Sequence, residues 1–282
     1  MRGANKQYKC EILVAGDDKM KKSTTKKTCG NKVLWMFLFV FLLMPCTGYA
    51  QDNAKGDKHR NILIITAHPD DVEIGMGGTA YLLKDKYNIH TAIASRGERG
   101  LSKEPDPNTA ALRTKHAELS AEILKAKVHF LEKNDGEIYA DKDAVEKIVT
   151  LLKELDPAIV FLHWPIDKPD HIAASNMALM ALSKTGMMHD REIYFFEVGR
   201  GSTTNQFDPD VYVDVTAVWQ EKVKLVAIHE LHNDGTLGKM AETSAQEYGR
   251  MNRCQYAEAF KPLYPFSNNR WNKRIRCTLM DL

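Results

Sequence analysis

Cysteine is scarce. The 282-residue chain has five, and three of them, Cys10, Cys29 and Cys46, precede residue 51. No CxxC pair or Cys/His finger spacing occurs, which excludes a dithiol redox motif and a structural zinc finger. An excess of one charge is also missing. There are 39 Lys and Arg against 37 Asp and Glu, and the basic residues are dispersed apart from an N-terminal stretch and "NNRWNKRIR" near the end. Nothing in that balance argues for nucleic acid as a partner. Between residues 60 and 265 no internal repeat and no low-complexity linker is found. Long apolar runs are absent too. The longest, "VLWMFLFVFLLM" (33–44), has twelve residues, where a membrane-spanning helix needs about 20.

That run nevertheless has informative flanks. It follows the basic "MKKSTTKKTCGNK" and precedes "PCTGYAQD", the order of a cleavable export signal with its small-residue cleavage site. Residues 1–50 are therefore expected to be a leader removed on export, 51–60 a linker, 61–265 the folded domain and 266–282 a tail. The mature protein is expected to be exported and periplasmic, touching a membrane only through an uncleaved signal. Met20 offers an alternative start, since residues 1–19 carry no targeting pattern, and "LMPC" lacks the small residues expected before a lipidated Cys46. Cleavage would leave Cys254 and Cys277, which an oxidising compartment would allow to pair.

From Asn61 onward, short apolar runs alternate with helical patterns. "NILIIT" (61–66), "IHTAIAS" (89–95), "KVHFL" (127–131) and "AIVFLH" (158–163) read as strands, as do "EIYFFEV" and "DVYVDVT" further on. Between and after them lie "TAYLLKDKY", "TAALRTKHAELSAEILKA", "DKDAVEKIVTLLKEL", "AASNMALMALSKT", "AVWQEKVKLVAIHEL" and "MAETSAQEYGRMNRCQYAEAF", all read as helices. In the second of these, Leu112, His116, Leu119 and Ile123 share one face and are expected to pack inward; in the third, Val145, Ile148, Leu151, Leu152 and Leu155 do so. The alternation predicts an α/β fold, Rossmann-like, with a mostly parallel sheet and helices on both faces. Ligands of such sheets bind beyond the carboxyl ends of the strands.

Two polar clusters occupy such ends. "TAHPDDVEIGMGGT" (66–79) follows the first strand and "HWPIDKPDH" (163–171) ends the fourth. If those strands are neighbours, His68, Asp71 and His171 can converge on one ion. Two imidazoles and a carboxylate with an open position suit hydrolytic zinc, which lowers the pKa of bound water to about 7, and ferrous iron would suit the same ligands. Asp70 then remains free to act as general base, and Asp170 is placed to orient His171 from behind. Gly75, Gly77 and Gly78 are expected to clear space for substrate where the helix begins. Each element has a simpler reading: Asp capping a helix, a packing histidine, a polar turn. "GMGG" also resembles a phosphate cradle, although the dinucleotide fingerprint spacing is not met. The convergence of three side chains at two strand ends is harder to assign to turns.

At these residues the sequence resembles the PIG-L/LmbE family of zinc-dependent N-deacetylases, from about residue 60 to about 262. "AHPDDVEIGMGGT" matches the family's first motif and "PDH" part of its second, with weaker echoes in "SRGERG", "NDGEIY", "YVDVT" and "YAEAF". The resemblance implies a Rossmann-like fold, His68, Asp71 and His171 as metal ligands, and Asp70 as base. It departs at Lys168, where the family's second motif has a histidine that stabilises the oxyanion or protonates the leaving amine. A lysine ammonium can stabilise an oxyanion but, with an ordinary pKa of about 10.4, is a poor proton shuttle. His163 is an alternative if its loop folds back. His116 stands where the family tends to have Glu, and Lys125 where it tends to have Gly.

The expected function is removal of acetyl from an N-acetylglucosamine-type sugar or conjugate, a small-molecule or glycan substrate. Arg96 and Asp135 are candidate substrate contacts, with Arg99 and Arg113 nearby. Three alternatives stay open at this point: an amidohydrolase of non-sugar N-acyl compounds, a non-catalytic glycan-binding relative, and a nucleotide-binding protein built on "GMGG". The sequence carries no sign of oligomeric state.

Overall fold

In the computed structural model the described residues are 60–200, 203–231, 234–263 and 278–282. The expected leader, the linker up to residue 59, most of the expected tail and Cys277 lie outside them. No helix among the described residues is long and apolar enough to cross a membrane.

The order of elements is β1 (Arg60–Thr66), α1 (Asp71–Leu83), β2 (Tyr87–Ser95), α2 (Pro107–Leu124), β3 (Ala126–Lys133), α3 (Lys142–Leu155), β4 (Ile159–His163), α4 (Pro169–Thr185), β5 (Glu192–Phe196), β6 (Val211–Asp214), α5 (Trp219–Ile228), α6 (Thr236–Asn252) and β7 (Ala257–Pro262). The strands form one sheet in the order β3-β2-β1-β4-β5-β7-β6. β1 to β5 run parallel, and β7 pairs antiparallel with both β5 and β6. The α/β expectation and the mostly parallel sheet therefore hold.

This order positions the site. The chain leaves β1 outward through β2 to β3, then returns to the other side of β1 for β4. The gap between the carboxyl ends of β1 and β4 is a topological switch point, where neighbouring crossovers diverge and leave a crevice. Both strands are buried on both faces, which explains their unbroken apolar reading. Alternate residues feed two cores. Leu63 and Ile65 pack with α3 and α4 side chains such as Ile148, Leu152 and Met177. Ile62 and Ile64 pack on the opposite face with Val72, Met76, Leu225 and Ala245.

Local signals set the helix ends. Asp106 accepts from the Asn108 and Thr109 amides ahead of Pro107, and Asp141 accepts from Ala144 N, each satisfying donors that the first helical turn leaves free. α2 ends at Lys125 in the left-handed region (φ 51°), the conformation that favours glycine after a helix. Lys125→Gly is expected to raise stability by about 1 kcal/mol. An unchanged or lower urea midpoint would contradict this.

Three expectations are corrected. Leu112, Leu119 and Ile123 are exposed (40%, 40% and 36%), and α2 instead buries Arg113, Ala117, Ser120 and Leu124. The apolar spacing was real, but this helix turns a polar and small-residue face inward because Arg113 and Ser120 find partners there. The helix expected through "QYAEAF" stops at Asn252, with Arg253 left-handed (φ 60°), and "AEAFKP" forms β7. Finally, α1 begins at Asp71, so the glycines lie within it. A Cβ on Gly75 would stand 2.6 Å from the Phe196 ring and one on Gly78 2.8 Å from Val215, while Gly77 has room. Gly75 and Gly78 permit close packing of α1 on the protein interior and do not clear space for substrate.

Candidate metal centre

Asp71, the first residue of α1, is held from behind. Its Oδ2 accepts from the Ala67 and His68 amides at 3.1 and 2.8 Å, which folds the "AHPDD" turn tightly onto the end of β1. The same oxygen lies 3.1 Å from His163 Nε2, and Oδ1 lies 3.2 Å from His171 Nε2. Burial would raise the Asp71 pKa, but the charges of His171 and His163 outweigh it and hold the carboxyl well below its usual range. His171 comes from the first turn of α4, and its Nδ1 stands 3.3 Å from Asp167 Oδ1. His68 turns Nε2 toward Asp135 Oδ1 and Asp170 Oδ2, both at 3.1 Å, and Nδ1 toward Asp71 Oδ2 at 3.7 Å.

His68, Asp71 and His171 each offer a ligand atom, all within 4.8 Å of one another. All three residues are buried. His68 Nδ1 and His171 Nε2 have no hydrogen-bond partner. Buried polar atoms are normally satisfied, so two unsatisfied imidazole nitrogens facing one carboxylate are suited to hold a cation. Two nitrogens and one oxygen suit zinc or iron. His68, Asp135 and Asp170 form a second trio, but it shares His68 and uses its outer nitrogen, as carboxylates behind a ligating imidazole do.

Asp70 stands apart from the ligand trio. Arg113, buried on α2, forms an ion pair with Asp70 Oδ2 at 2.8 Å and donates to the Pro69 carbonyl at 3.3 Å. Gly97 and Gly100 make this possible: a Cβ on either would come within 2.6–2.8 Å of the Arg113 side chain. The spacing of "SRGERG" thus builds a slot for a guanidinium that sequence reading left as one of three loop arginines. Beyond Asp70, a buried group of Glu73, Ser120 and His229 completes the wall. Glu73 accepts from the Ser120 hydroxyl, and its other oxygen is 3.5 Å from His229 Nε2. His116 meets His229 edge-on at 5.9 Å between ring centres.

Several expected roles move. Asp170 serves His68, and also accepts from the Gly136 and Ile138 amides; the residue behind His171 is Asp167, four residues upstream, which sequence reading missed. His163 is fully buried, stacked on His171 at 4.0 Å and set against Asp71, so it backs a ligand and does not reach an oxyanion. Burial and the charge of His171 lower its pKa to about 4. Lys168 is the exposed N-cap of α4, and its charge opposes protonation of both His68 and His171. Asp135 is brought to His68 and accepts from Arg99 N. Arg96 is not brought in: it pairs with Glu132, bonds Thr114 and lies over Phe130.

In the metal-free protein, burial lowers the His68 pKa, but Asp135, Asp170 and Asp71 outweigh it and raise it to about 9. A raised histidine stabilises the fold fully below its unfolded value of about 6.5, and that contribution is lost as pH rises through about 9, on the order of 3 kcal/mol in all. His171 and His229 are also raised and act in the same sense. Apoprotein stability is expected to fall, and zinc affinity to climb, between about pH 6.5 and 9. Urea melts and zinc titrations at both ends of this range check it, and flat profiles would contradict it.

The chain is similar to several known proteins. Residues 63–182 match the family model described as PIG-L, GlcNAc-PI de-N-acetylase. A diacetylchitobiose deacetylase from Thermococcus kodakarensis is 28% identical over 221 residues, covering 72% of this chain and 82% of that one. A 4-oxalmesaconate hydratase from Pseudomonas putida is 26% identical, covering 58% of this chain and 70% of its own. Among solved structures, an N,N'-diacetylchitobiose deacetylase from Pyrococcus horikoshii superposes with a TM-score of 0.63 at 22% identity, covering 74% of this chain and 88% of that one, which speaks to the fold. The stretch 63–182, which carries His68, Asp70, Asp71 and His171, is thus similar to the PIG-L family model.

Proposed function

We propose that this protein is a metal-dependent hydrolase that removes the N-acetyl group from an N-acetylglucosamine-type sugar or conjugate. The observation that carries the reading is a carboxylate, Asp70, that stays outside a three-ligand metal site yet is fixed beside it by Arg113 at 2.8 Å. The deacetylase relatives named above support the amide substrate. Zinc is the proposed ion, with ferrous iron the alternative, held by His68, Asp71 and His171. Such an ion, when bound, polarises an amide carbonyl and acidifies a bound water.

The chain's own groups do the rest. Arg113 orients the Asp70 carboxylate, which takes the proton of the attacking water and returns it to the departing amine. Lys168, at the mouth of the site, supplies positive charge to the oxyanion. Asp170 and Asp135 fix the His68 ring, and His163 and Asp167 fix Asp71 and His171. An exported, periplasmic location would favour envelope or glycan-derived N-acetylglucosaminides.

Acetate release from a panel of N-acetylglucosaminides, with and without chelator, tests the proposal. Chelator-sensitive release is expected. Release only from N-acyl amino acids would move the substrate away from sugars. Hydration of 4-oxalmesaconate without acetate release would favour the chemistry of the hydratase relative. Zinc and sugar binding without turnover, unchanged by Lys168→His, would leave a glycan-binding protein.

A further inference from the structure

α1 is not a continuous helix. Met76 has φ −146° and ψ 22°, so the turn that carries Asp71 is separated from the helix body. A break of this kind frees an acceptor on one side and donors on the other. Two buried charged side chains from distant elements take them. Lys222 Nζ of α5 donates to the Ile74 carbonyl at 2.8 Å, and the Glu258 carboxylate of β7 accepts from the Gly78 and Thr79 amides at 2.9 and 2.6 Å. Lys222 and Glu258 also pair with each other at 2.5 Å, each 2% exposed. Gly78 N–H and Ile74 C=O are the two ends of what would be one helical i→i−4 bond, and each is bonded to one member of the pair.

The geometry points to Lys222 and Glu258 as positioning residues for the metal centre. They set the angle at which the Asp70–Asp71 turn leaves the rest of α1, although neither touches the site. A buried ion pair by itself is weak evidence for stability, since apolar replacement of both partners is often tolerated. The backbone groups at the break give this pair a further task that an apolar replacement cannot perform. The inference rests on the proposed metal site, so its test needs one readout that does not depend on metal.

Three variants decide it: Lys222→Met, Glu258→Leu and the double variant. Zinc affinity is measured by competition with a chromophoric chelator, apoprotein stability by urea midpoint, and ring geometry by the imidazole ¹H–¹⁵N resonances of His68 and His171 in the apoprotein. Both single variants are expected to lose stability and the double variant to regain much of it. Zinc affinity in the double variant is expected to stay about 10- to 100-fold below wild type, the usual cost of disturbing groups behind metal ligands, with displaced imidazole resonances. A double variant with wild-type zinc affinity and unshifted resonances would reduce the pair to a structural ion pair. Wild-type protein that binds neither zinc nor ferrous iron would overturn the metal-site reading instead, and the apoprotein resonances would still decide the role of the pair.

Discussion

Asp70→Asn is expected to lower kcat by about 10²- to 10⁴-fold, the range removed with a positioned general base, while zinc affinity stays at the wild-type level. The substitution is close to isosteric. The amide oxygen can still accept from Arg113, whose guanidinium sits 2.8 Å from Asp70 Oδ2, so the turn should keep its shape. KM should move little, because the group is asked to act on a proton and not to hold the sugar. Steady-state kinetics with metal content measured on the same sample decide the matter. Near-wild-type kcat at full occupancy would remove Asp70 from the base role and send the search to Glu73 and His229, two buried ionisable groups paired with each other beyond it.

The second large effect concerns the ligands. His171→Ala is expected to weaken zinc binding about a hundred- to a thousand-fold: roughly 10–16 kcal/mol for a four-ligand site is roughly 3 kcal/mol per ligand, and 1.4 kcal/mol is a decade. Activity should fall with occupancy and return in part at high zinc. The variant also removes the ring that neutralises Asp71 and Asp167, so the apoprotein itself should be less stable than wild type. Wild-type zinc affinity in His171→Ala would show that the ion, if any, sits elsewhere.

The sheet and the convergence of His68, Asp71 and His171 were legible because both rest on local pattern. Continuous apolar runs gave β1 and β4, and polar clusters at their ends gave His68, Asp71 and His171. What escaped was set by tertiary partners. Nothing around Arg113 distinguished it from Arg96, yet one reaches Asp70 and the other spends its charge on Glu132. Asp170 is next to His171 in sequence, but a residue beside another on a helix faces a different direction, and it serves His68. Asp167 lies before the N-cap of α4, outside the helix, so no helical spacing pointed to its pairing with His171. The α2 face was misread because helical periodicity locates apolar residues without saying which side meets the core. β7 was merged into a helix because "YAEAF" has helix-forming composition, and only pairing with β5 and β6 makes it a strand.

The contact between α1 and β7 spans 180 residues. During synthesis the first helix of the domain therefore emerges long before the strand that completes it. At about 5–20 residues per second, the Ile74–Thr79 segment waits many seconds with its backbone groups turned to water. The candidate metal centre can thus reach its final form only after nearly all of the polypeptide has left the ribosome, so a protein truncated before Glu258 would retain His68, Asp71 and His171 and still lack a finished first helix.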